Sequence, residues 1–125
     1  MSKPIFVGTF VLGRIPVNLL LDQSLCGSGS FNMAPDGKAT AEIRISLADG
    51  MERDLMCTLM HEALEFCYAL QGCRYAACSS MNNGNSSDWM FVADHQMFDR
   101  AVYDATTFML EAAPNIKAAL KKVKA

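Results

Sequence analysis

The feature that most constrains the fold is a change of hydrophobic period across Asp49-Gly50. Before it, Ala41-Glu42-Ile43-Arg44-Ile45-Ser46-Leu47 alternates strictly, with Ile43, Ile45 and Leu47 on one side and Glu42, Arg44 and Ser46 on the other. That is the pattern of a half-buried strand. After it, Leu55, Met56, Leu59, Met60, Ala63, Leu64, Cys67 and Leu70 recur at spacings of three and four, which is the apolar stripe of a helix. Asp49 is placed to cap that helix, Glu52 and Asp54 suit its first turn, and Gly72 suits the residue just past its end. A strand followed directly by an amphipathic helix predicts an α+β domain.

The rest of the chain extends this frame. Pro4 to Leu12 and Ile15 to Leu21 read as two arms of a β-hairpin turned at Gly13-Arg14, with Pro16 marking an edge or a strand start. Residues 23–37 carry Gly27, Gly29, Pro35 and Gly37 and read as a loop; Gly27-Ser28-Gly29 lacks the lysine of a phosphate-binding loop. Residues 79–88 form a second polar loop. Trp89-Met90-Phe91-Val92 should pack back on the core. Asp94 then caps a second helix over about 95–112, with Phe98, Ala101, Val102, Ala105, Phe108 and Met109 inward. Pro114 suits the first turn of a short third helix carrying Ile116, Leu120 and Val123. The prediction is one domain over 1–125: a small N-terminal antiparallel sheet packed on two long helices and a short C-terminal helix.

Composition narrows the function. The 125 residues are 51% hydrophobic and 19% charged, which a folded domain of this size requires, and the net charge is -2. There is no basic excess to grip a phosphate backbone, and Lys117, Lys121, Lys122 and Lys124 suit the end of a helix better than a nucleic acid. No apolar run is long enough to span a bilayer. Met1-Ser2-Lys3-Pro4 leads straight into the first strand without a signal-peptide pattern, and the five cysteines are odd in number with no CxxC pair. The expectation is a cytoplasmic protein with free thiols.

The string that carries chemistry is Thr58-Leu59-Met60-His61-Glu62-Ala63-Leu64-Glu65. His61 and Glu65 stand one helical turn apart on one face, so an imidazole nitrogen and a carboxylate oxygen can meet one ion. Glu62 is turned about a quarter circle away, within reach of a metal-bound water. This is the logic of HExxH with a carboxylate in the second ligand position. A catalytic zinc needs a third protein ligand. His95 is the only other histidine; Asp94 and Asp99 are rivals, and Asp99 is alternatively placed to orient His95. Cys57 extends the row His61–Glu65 by one turn, as a thiolate ligand or, more simply, a small buried hydrophobe. Tyr68 and Tyr75 follow the motif and suit packing or an oxyanion contact. Most of the nine methionines read as core filler.

Residues from about 41 to 116 resemble a group of small phage and prophage proteins with a minimal zincin-like fold. The matching pieces are Ile43-Arg44-Ile45, then Thr58 to Glu65, then Asp94-His95 opening the helix from Phe98 to Leu110, and Pro114-Asn115 beyond it. The resemblance implies His61, Glu65 and His95 as zinc ligands, Glu62 as general base, and a protein or peptide substrate, with Ala41–Leu47 pairing an extended substrate at its edge. This chain departs from the pattern in having Glu65 where histidine is commoner, and in an insertion over Cys73 to Asp88. Two other readings use the same scaffold. One is a non-enzymatic binding or inhibitor protein acting on a host or phage protein. The other is an oligomerisation module with Trp89, Met97 and Phe98 at an interface.

Overall fold

A computed structural model describes residues 3–25, 29–32, 40–47, 52–76 and 89–124. The hairpin forms as the sequence predicts. Strands β1 (Ile5–Leu12) and β2 (Ile15–Asp22) pair antiparallel, with Leu12 opposite Ile15 across the two-residue turn. Gly13 has φ 59° and Arg14 has φ 76°. Two successive left-handed residues are what a twist-matched two-residue hairpin demands. Glycine meets that demand freely; arginine meets it against its Cβ.

The stretch read as a loop contains a short strand, β3 (Gly29–Asn32), and the alternating segment is β4 (Ala41–Ser46). The sheet order is β1-β2-β4-β3. β3 and β4 are antiparallel, but β2 and β4 are parallel, with Val17 opposite Ala41 and Asp22 opposite Ser46. The sheet is therefore mixed, not antiparallel as expected. The excursion after β2 carries the chain to the far edge before β4 returns into the gap. Pro16 lies just before the β2–β4 ladder, so its missing N–H costs no bond there.

Helix α1 (Glu52–Leu70) has 19 residues and α2 (His95–Lys124) has 30. Between them β5 (Arg74–Ala76) and β6 (Trp89–Phe91) form a two-stranded antiparallel ribbon, with Arg74 opposite Phe91. Met90, Phe91 and Val92, expected to pack back on the core, are exposed, and Phe91 meets it through Tyr68 at 5.3 Å. Gly72, at φ 75°, closes α1 as predicted. Gly72 N–H donates to Ala69 O at 3.1 Å and Cys73 N–H to Tyr68 O at 2.8 Å, the paired bonds of a Schellman cap. Asp94 caps α2 through Oδ1, which accepts from Met97 N–H at 2.8 Å. The expected cap at Asp49 and the polar loop 79–88 lie outside the described residues, as do Cys26 and Cys78.

No third helix separates from α2, which runs on through Pro114. The apolar stripe Ala101, Ala105, Phe108, Ala112, Ile116, Ala119 and Leu120 is unbroken and buried, while Pro114 is on the exposed side. Burial of that stripe outweighs the one backbone hydrogen bond that proline removes. Phe98 and Val102, expected inward, are 50% and 40% exposed, whereas Ala101 between them is fully buried: Val102 is turned about a quarter circle off that stripe.

Val17, Leu19 and Leu21 of β2 and Ala41, Ile43 and Ile45 of β4 form the buried face of the sheet, against Leu55, Leu59, Ala63, Phe66 and Cys67 of α1. Edge-on aromatic contacts tie the layers together: Phe31 of β3 on Phe66 of α1 at 5.6 Å, and Phe10 of β1 on Phe108 of α2 at 6.0 Å. Each is worth about 0.5–1.5 kcal/mol beyond its buried area. The opposite face carries Arg44, held by Glu42 and by Asp22 at 3.2 Å. Among the described residues no helix is long and apolar enough to cross a membrane.

Candidate metal centre

The middle of α1 presents the predicted residues together. His61 Nε2 lies 3.7 Å from Glu62 Oε2 and 3.9 Å from Glu65 Oε2. One donor atom from each of the three residues falls within 4.8 Å of the others. Two ligands on a tetrahedral zinc stand about 3.4 Å apart, given bonds of about 2.0–2.2 Å, so His61 and each glutamate need to close by about half an ångström or less. Nitrogen and carboxylate oxygen are the donor types that zinc accepts. On geometry and donor chemistry the group fits a small divalent cation.

The three differ sharply in exposure. The side chains of His61, Glu65 and Glu62 are 70%, 16% and 7% exposed. The gradient comes from β3, which covers one flank of α1. A Cβ placed on Gly29 would sit 2.8 Å from Glu62 Cγ, 3.0 Å from Thr58 Cγ2 and 3.2 Å from the Arg44 carbonyl oxygen. The bare Cα of Gly29 therefore makes room for the Glu62 stem under the strand. Glu62 is held by tertiary packing, whereas His61 projects to solvent.

His95 is not brought to this group. It opens α2 with its side chain 85% exposed, and its Nδ1 lies 3.3 Å from Asp99 Oδ2. The two are one helical turn apart, as their spacing allows, but away from the His61 group. Asp94 is engaged in capping. Neither aspartate joins the group either. Cys57 is exposed, contrary to the small-hydrophobe reading, and is not part of the group. Cys67 and Cys73 are buried free thiols, and Cys73 Sγ lies 3.4 Å from Met97 Sδ. Burial, reinforced by the Asp104 carboxylate, pushes the Cys67 thiol up to about 12. Tyr68 is half-buried against Phe91 at 5.3 Å, and its hydroxyl is also raised, chiefly by burial; packing accounts for it.

β4 lies between β2 and β3, so its main-chain groups are used within the sheet and it cannot take a substrate strand. Among the described residues the strand beside the group is β3, last in the sheet order, which sequence reasoning missed. Its signal, Phe31 flanked by Ser30 and Asn32 after a glycine, is too short to stand out from a loop.

No protein-family model, curated protein or solved structure matches this chain.

Proposed function

We propose that the chain is a minimal zincin-like metal-dependent peptide hydrolase, of the phage or prophage kind that the sequence resembles. The single observation that carries this reading is the convergence of His61, Glu62 and Glu65 on one exposed-to-buried face of α1. His61 and Glu65 would hold the cation. A bound zinc ion supplies a water acidified toward neutral pH and polarises the carbonyl under attack. Glu62 is the general base: its carboxylate is fixed beside His61 by the β3 cover, and its role is to take the proton from the attacking water. With His95 paired to Asp99, two protein ligands hold the ion, and the affinity is expected to lie below that of three-ligand zinc sites.

Elemental analysis of protein purified without a metal-affinity tag tests this directly. The wild type, after zinc is supplied, should carry one equivalent that His61→Ala loses. Hydrolysis of an unfolded protein substrate should vanish in Glu62→Gln while zinc is retained. A wild type that takes up no zinc ends the metal reading.

One observation favours the non-enzymatic alternative, a protein that binds a host or phage protein. Met90, Phe91, Val92, Met97 and Phe98 form an exposed apolar run about the start of α2. Zinc uptake without hydrolysis, and unchanged binding in Glu62→Gln, would select it.

A further inference from the structure

We propose that the outward face of α2 is a dimer interface, on which a second copy of this chain lays its own α2 antiparallel. Tyr103 and Leu110 are 72% and 71% exposed, the highest values among the exposed large hydrophobic side chains of the described residues. They stand seven residues apart, two turns along one side of the helix, with exposed Thr106 between them. The buried stripe through Ala101, Ala105, Phe108 and Ala112 occupies the opposite side. A surface helix normally keeps its solvent side polar; this one places its two most exposed large hydrophobic side chains there, one heptad apart.

Charge decides the occupant and its direction. The first part of α2 and its cap carry Asp94, Asp99, Asp104 and Glu111 against Arg100 alone; the last part carries Lys117, Lys121, Lys122 and Lys124. The outward stripe itself runs Asp99, Tyr103, Thr106, Leu110, Lys117, Lys121. A parallel copy would set aspartate on aspartate and lysine on lysine. An antiparallel copy centred at the level of Phe108 sets Asp99 of each chain against Lys117 of the other and Thr106 of each against Leu110 of the other. The arrangement is self-complementary, as a two-fold interface requires. It is independent of the metal reading.

Sedimentation of the full chain across the micromolar range tests it. The expected result is a concentration-dependent shift from 13.7 kDa to twice that mass. Leu110→Asp should abolish the shift. Asp99→Lys should weaken it by about tenfold, and adding Lys117→Asp should restore it. A zero-length carbodiimide cross-link between Asp99 and Lys117 should form only between chains, because within one helix the two lie about 27 Å apart. Should Leu110→Asp unfold by circular dichroism, the exposed charge-reversal pair and the cross-link decide alone. A monomer at every concentration, a dimer indifferent to these changes, or the absence of the inter-chain link would overturn the proposal.

Discussion

Gly29→Ala tests whether β3 truly closes over the candidate site. The added methyl would stand 2.8 Å from Glu62 Cγ, 3.0 Å from Thr58 Cγ2 and 3.2 Å from the Arg44 carbonyl oxygen. Carbon atoms pack best at about 3.5–4.0 Å, so strand and helix must separate by up to about 1 Å. Glu62 can yield by rotating, but the Arg44 carbonyl belongs to the β3–β4 ladder and cannot move without straining the sheet. Overpacking of this kind costs about 1–3 kcal/mol. Alanine also narrows the unfolded ensemble, which returns about 0.4–1 kcal/mol. The net expectation is a destabilisation of about 1–2 kcal/mol, read from urea unfolding followed at the helix band. Adding Glu62→Ala removes the nearest clashing atom, so the double variant should be less destabilised than the sum of the two single ones. Gly72→Ala is the control: its Cβ would meet nothing within 4 Å, and any cost there is backbone strain at φ 75°. Wild-type stability in Gly29→Ala, or strict additivity with Glu62→Ala, would show that the strand does not lie over Glu62.

Three further outcomes follow from the same structure. Arg14→Asn should stabilise the chain by about 0.5–1 kcal/mol in the same assay, since asparagine tolerates the left-handed turn position that Arg14 occupies at φ 76°. Asp22 accepts hydrogen bonds from the Ser24 hydroxyl at 2.6 Å and backbone N–H at 2.9 Å and pairs with Arg44, which hold its carboxyl below the ordinary 3.8. Its contribution is therefore whole above pH 3.8 and lost as pH falls through the lower folded value, so Asp22→Asn should flatten the acid limb of a stability–pH curve. Cys67 ionises at about 12 when folded and near 9.0 when unfolded, so stability should fall by about 1.4 kcal/mol per pH unit between those values. Cys67→Ser should reduce that slope, and a thiol reagent at pH 8 should label exposed Cys57 well before Cys67.

Local periodicity and chemistry determined a good part of this protein. The period-two run through Ile43 and Ile45, the three-and-four spacing from Leu55 to Cys67, the Gly13-Arg14 turn and the caps at Gly72 and Asp94 each follow from interactions between near neighbours. So does the meeting of His61 and Glu65, which helical geometry alone ensures. What only the tertiary structure decided depends on partners distant in the chain. β4 inserts parallel to β2 because β3 takes the outer edge. α2 passes Pro114 because the stripe from Phe108 to Ile116 is covered by the sheet. Glu62 is buried because Gly29, more than thirty residues earlier, lets a strand approach it. His95 pairs with Asp99 one turn along its own helix, and the packing of α2 does not bring it to the His61 group. A sequence states which residues are able to ligate, cap or bury; which of them meet is settled by the area that packing removes from water.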